Sequence, residues 1–146
     1  MQHQGKVIIL GAGPGDPGLL TLKGKEWIEK ADVIIYDYLA NERFLDYTRV
    51  DTEKIFVGKK KGDHTLSQEQ INELMLKRVK KGKLVVRLKG GDPFIFGRGG
   101  EEAEELANAG IAFEIVSGVT AATSVPAYAG IPLTHRNHTS TIAFVT

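Results

Sequence analysis

Short, nearly continuous apolar runs recur along the chain at positions 6–10, 33–36, 54–57, 84–88, 113–116 and 142–145. Such runs are the pattern of strands covered on both faces. Between them the apolar positions fall at helical spacing. The clearest case begins at Ser67, which with Gln70 has the spacing of a capping box. Ile71, Leu74, Met75 and Val79 then share one face, and Gly82 is placed to stop the helix. Further helices are predicted over 21–30, 41–47, 101–109 closed by Gly110, and 121–129 closed by Gly130. Strands alternating with helices predict an α/β fold, a mainly parallel open sheet flanked by helices. In such a sheet a ligand site belongs at the carboxyl ends of the strands, so the loops that follow them are where chemistry is expected.

Composition narrows this picture. With 146 residues, 42% of them apolar, the chain can bury about two-thirds of its unfolded surface around a single core. It has no cysteine, hence neither disulfides nor thiolate metal ligands. A formal charge of +1 argues against a dedicated nucleic-acid binder, which usually carries a strong basic excess. No stretch approaches the roughly 20 apolar residues of a membrane span. The amino terminus lacks a signal-peptide layout because the run 7–10 is too short, and a cytoplasmic location is expected. Near the other end, 130–136 reads as a connector and 142–145 as a strand with only Thr146 after it. That ending predicts the front part of a longer protein, with 1–136 an amino-terminal domain and 137–146 the start of a second α/β domain.

Three loops stand out. The first carries glycines at 11, 13, 15 and 18 and resembles a dinucleotide fingerprint, but Asp16 replaces the third glycine of G-x-G-x-x-G. Asp16-Pro17 also discourages an immediate helix, so a helix amino terminus is displaced toward Thr21. The choice is between a tight Gly/Pro turn without a ligand and a loop whose backbone meets one closely. The second loop, 89–100, holds five glycines, Phe94 and Phe96, one acid, and the bases Lys89 and Arg98. Its glycines permit backbone approach and its aromatics could supply apolar walls; the rival is a flexible loop with buried aromatics. In the third, 117–122, the Thr120 hydroxyl can either meet a polar ligand atom or cap the next helix. Asp37, just past a strand, is a general base or a solvated turn residue, and the lysines at 59–61 are a solvated surface or a charged rim of the same crevice. His135 and His138 lie three apart without a matching acidic or cysteine set, so no metal site is expected.

Taken together, segments 11–22, 57–60, 86–102 and 127–136 make the chain similar to the uroporphyrinogen-III C-methyltransferases. The first motif is shared loosely across the tetrapyrrole methylase superfamily, including diphthine synthases and a ribosomal RNA ribose methyltransferase. The long glycine motif and the run Tyr128-Ala-Gly-Ile-Pro-Leu-Thr-His-Arg136 are more particular. The resemblance implies methyl transfer from S-adenosylmethionine to ring carbons of uroporphyrinogen III, giving precorrin-2 through precorrin-1 on the way to sirohaem or cobalamin. It further implies a homodimer of two-domain subunits. Carried over by position, Pro14, Gly90, Gly91, Asp92, Ile95, Thr120 and Ala121 would contact the methyl donor, Asp37 would be the general base and Lys59 the proton donor. A carboxylate-rich substrate gives Lys59, Lys60 or Arg98 something to attract, although Arg98 could equally serve its own loop. Because the resemblance places the donor between two domains, the 146 residues alone are expected to bind it weakly or not at all and to be inactive. The alternatives are another methylase of the superfamily, acting on a precorrin, a diphthamide precursor or RNA, or a noncatalytic half-domain module. A Rossmann dehydrogenase is disfavoured by Asp16.

Overall fold

The computed structural model describes residues 5–58 and 66–146. They form a five-stranded sheet of β1 (Lys6–Gly11), β2 (Val33–Tyr36), β3 (Glu53–Phe56), β4 (Leu84–Lys89) and β5 (Phe113–Val116). The spatial order is β3-β2-β4-β1-β5 and every pairing is parallel. Four helices connect or follow the strands: α1 (Leu22–Lys30), α2 (Gln68–Val79), α3 (Gly99–Asn108) and α4 (Ala121–Tyr128). Side-chain alternation divides the core into two layers. Ile8, Leu10, Ile34, Val86 and Leu88 face Ile28 of α1 and Phe44. Val7, Ile9, Val33, Ile35 and Val85 face Ile71 and Met75 of α2 and Leu106 of α3. The neighbouring strands β1 and β4 are thus followed by helices on opposite faces, which opens a crevice between their carboxyl ends.

The predicted helix starts follow from their caps. Ser67 Oγ accepts from Gln70 N while Gln70 Oε1 accepts from Ser67 N, so the capping box is formed in full. At α1, Thr21 Oγ1 accepts from Gly24 N at 3.0 Å, and a 3₁₀ turn, Pro17–Leu19, stands between it and β1.

Three expectations are corrected. Residues 142–145 form no strand, because nothing among the described residues pairs with them and a strand exists only as a member of a ladder; Ile142 and Phe144 remain about two-fifths exposed. Segment 41–47 is a 3₁₀ helix, Glu42–Tyr47, rather than an α-helix. Residues three apart eclipse in that geometry, and Phe44 and Tyr47 both pack into the layer beside α1. Finally, α3 begins at Gly99, earlier than the expected 101. A Cβ at Gly99 would lie 2.3 Å from Pro93 O, so only glycine lets the helix start this close to its own loop.

Candidate functional site

The loops after β1, β4 and β5 meet through their backbones. Ala12 N donates to Lys89 O at 2.7 Å, and Gly13 and Gly91 exchange two amide bonds at 3.1 and 2.7 Å. A Cβ at Gly118 would stand 2.1 Å from Gly91 O and one at Gly11 would stand 2.6 Å from the same atom. No side chain fits at this junction. Asp92 closes it: one carboxylate oxygen accepts from Phe94 N at 2.9 Å and the other from Gly118 N at 3.0 Å. Gly11, read from the sequence as permissive, is therefore required, as is Gly118, for which the sequence offered no such signal, and the three loops form one surface.

Most of the expected donor-contacting residues share that surface. Gly91 has φ +62°, and a Cβ there would find only Thr120 Cα, at 3.9 Å. Gly90 backs onto the loop after β2, where a Cβ would be 2.7 Å from Leu39 O. Pro14 is half-buried next to the bridged Gly13, and Ile95, in the turn after Asp92, is about one-third exposed. Thr120 caps α4, its Oγ1 accepting from Ala122 N at 3.3 Å, which realises the capping alternative; its hydroxyl proton remains to be donated. Ala121 is exposed beside it. Polar contacts from this floor would come from backbone groups, because the Asp92 carboxylate already serves two amides. Such a floor fits a flat ligand held by main-chain atoms next to small apolar side chains.

Beside this surface lies a cleft of about 390 Å³, with Asp37, Leu39, Gln68, Arg87, Lys89 and Arg98 among its lining. Asp37, just past β2, accepts from Leu39 N at 2.9 Å and pairs with Arg87 Nη2 at 3.2 Å. Each of its oxygens keeps a further lone pair. Behind it lies a buried charged network that the loops did not announce. Arg87 and Lys89 extend from β4 toward Glu102 on the first turn of α3, at 3.0 and 3.1 Å. Gln68 joins the same carboxylate at 3.2 Å. Burial, and the Arg87 cation beside it, push the Lys89 amine below its ordinary value, with Glu102 and Asp37 opposing. The signal in the sequence was two bases at alternate positions inside an otherwise apolar strand, which puts both on one face.

Other expected residues fall outside this arrangement. Arg98, itself in the left-handed region at φ 56°, makes a two-pronged pair with Glu101 at 3.0 and 2.7 Å. That favours support of its own loop, although it also lines the cleft. Lys59 and Lys60 lie outside the described residues. Asp16, the misfit of the dinucleotide pattern, caps the turn at Pro17 through Gly18 N and accepts from Tyr128 Oη at 2.6 Å, tying the first loop to α4. The Tyr128 hydroxyl, and after it Gly18 N, hold the Asp16 carboxyl below its usual value. The rings of His135 and His138 stack at 4.6 Å, and no group of metal-ligating side chains is found among the described residues. No helix among them is long and apolar enough to cross a membrane.

Comparison with known proteins gives a consistent result. Residues 6–146 match the family model of the tetrapyrrole (corrin/porphyrin) methylases. A siroheme synthase of Photorhabdus laumondii is 59% identical over 143 residues, covering 98% of this chain and 30% of that protein. A uroporphyrin-III C-methyltransferase of Thermus thermophilus superimposes with a TM-score of 0.80 at 43% identity, over 91% of this chain and 56% of that one. A Thermus thermophilus structure of the same enzyme, complexed with S-adenyl homocysteine, gives a TM-score of 0.72 at 45% identity, over 90% and 50%. The chain therefore spans about a third of the curated relative and about half of the solved structures.

Proposed function

The chain belongs to the tetrapyrrole methylase family, and from that premise we propose that it supplies the donor-binding floor and the general base of an S-adenosylmethionine-dependent uroporphyrinogen-III C-methyltransferase. The reaction is methylation of ring carbons to precorrin-2 by way of precorrin-1. The observation that carries this reading is the side-chain-free junction of Gly11, Gly91 and Gly118 beside a cleft that Asp37 lines.

S-adenosylmethionine supplies an activated methyl group, so the protein's work is placement and exclusion of water. Gly90, Gly91, Thr120 and Ala121, with Pro14 and Ile95 at the margins, would hold the donor. Methyl transfer to a ring carbon leaves the macrocycle positively charged, and it becomes neutral only when a proton leaves another position of the ring; the Asp37 carboxylate would take that proton. Arg87 Nη2 fixes that carboxylate in place. Lys59 is assigned the proton-donor role on family resemblance, and Arg98 a share in anchoring substrate carboxylates. A homodimer and a second domain complete the proposal; the likeness to the Thermus methyltransferases and to a siroheme synthase supports it.

The test is methyl transfer by the full-length protein, with uroporphyrinogen III and S-adenosylmethionine, followed by mass spectrometry of the product. Precorrin-2 is the expected product. In Asp37→Ala turnover should fall about a hundredfold or more while donor affinity stays within about twofold. Transfer only to another tetrapyrrole or to RNA, or full activity of Asp37→Ala, would overturn the assignment.

A further inference from the structure

Glu102 is completely buried, and its three partners all converge on one oxygen. Arg87 Nε, Lys89 Nζ and Gln68 Nε2 reach Oε1 at 3.0, 3.1 and 3.2 Å, while Oε2 has no partner among the described residues. Burying a carboxylate is costly unless it is paired, and an equally buried apolar side chain is often no less stable. Packing alone therefore does not account for a carboxylate at this position.

The Arg87 guanidinium shows what that role is. Nε donates to Glu102, Nη1 to the carbonyls of Ile35 and Leu88 at 3.4 and 3.2 Å, and Nη2 to Asp37 at 3.2 Å. Three edges of the planar fork are thus assigned, and the one that points to the cleft meets Asp37. The formal charges balance: Arg87 and Lys89 oppose Asp37 and Glu102. Without Glu102, two buried cations would have Asp37 as their only counter-ion in this network. Without Lys89, two carboxylates would compete for Arg87.

We propose that Glu102 and Lys89 are a matched pair of positioning residues, whose mutual neutralisation fixes Arg87 and leaves the Asp37 carboxylate with a single cationic partner and an open side toward the cleft. The inference rests on the reading of Asp37 as the general base. Glu102 is buried behind the cleft, and Lys89, which lines it, directs its ammonium onto Glu102 Oε1. Both act through Arg87, and their effects are coupled through charge.

The experiment compares four forms of the full-length protein: wild type, Glu102→Gln, Lys89→Met and the double variant. The measurements are kcat and KM for methyl transfer to uroporphyrinogen III and Kd for S-adenosylmethionine. Each single change leaves one unbalanced buried charge and should lower kcat about tenfold or more with the donor Kd within about twofold. The double variant restores the balance and should recover to within about threefold of wild type. A packing role is blind to charge, so losses that simply add in the double variant would overturn the inference, as would wild-type kcat in both single variants. Should a single variant fail to fold by circular dichroism, the double variant is still expected to fold and turn over, and its failure would count against the pairing. A wild-type protein that transfers no methyl to uroporphyrinogen III overturns the functional reading and this inference with it. An active wild type with additive losses overturns this inference alone.

Discussion

Asp92 shows how much of a residue's role lies beyond its own segment. Family resemblance assigns it to the methyl donor, yet its carboxylate joins Phe94 N to Gly118 N, so its contribution to the site is to lock the second loop to the third. Asp92→Asn would turn one acceptor into a donor facing an N–H. It should cost about 1–3 kcal/mol in urea unfolding and raise the donor Kd; an unchanged unfolding midpoint would show that the two amides find other partners. Glu114 offers a pH handle away from the site. The ammonium groups of Lys23 and Lys6 hold its carboxyl down at about 2, against an ordinary 4.5. Because the folded value is the lower one, the unfolded chain takes up the proton first. The stabilisation is full above the ordinary value of 4.5 and is lost as the pH falls toward about 2. Glu114→Gln should flatten the pH dependence of the unfolding midpoint across that window. An equally steep curve in the variant would assign the acid sensitivity to other groups.

At the level of elements, legibility followed local chemistry. The Ser67 and Gln70 caps are a bargain between neighbours on the chain, which is why α2 was readable to its first residue. Ser67→Ala should lower stability by about 1 kcal/mol, checked by the shift in denaturation midpoint; no shift would mean that water caps the helix as well. Segment 41–47 is legible as helical but not as 3₁₀, since that choice depends on Phe44 and Tyr47 packing together beside α1. Run 142–145 has strand composition without a neighbour to pair with among the described residues. Apolar content proposes a strand, and only a partner makes one. The early start of α3 depends on contact between Gly99 and Pro93 O, which no spacing rule anticipates.

Across the whole molecule, two glycines with similar sequence signals have different consequences. A Cβ at Gly118 would collide with backbone atoms of Gly91 and Gly11 at 2.1 and 2.7 Å, at the point where three loops join. Gly118→Ala should therefore destabilise the fold by at least the roughly 1–3 kcal/mol typical of overpacking, seen as a lower melting temperature. At Gly91 the same change meets open space and costs only the strain of its left-handed backbone, about 1–2 kcal/mol. Its larger effect should be on donor binding, because the added methyl enters the proposed floor beside Thr120. If calorimetry found the donor Kd of Gly91→Ala unchanged, the floor would lie elsewhere.

The sequence by itself determined the α/β alternation, the places of the five strands, the starts of α1 and α2, and the first two glycine-rich loops as sites of close backbone approach. These features are encoded by periodicity and by contacts within a few residues. Tertiary structure decided what distant segments do together. It brought Gly11, Gly91 and Gly118 into backbone contact, set Asp37 against Arg87, and gathered Arg87, Lys89 and Glu102 into a buried network. The physical reason is that β2 and β4 are neighbours in space although 52 positions separate residues such as Ile35 and Arg87, which pair across them. A charge on a strand declares its face, but the counter-charge that makes its burial tolerable comes from another element.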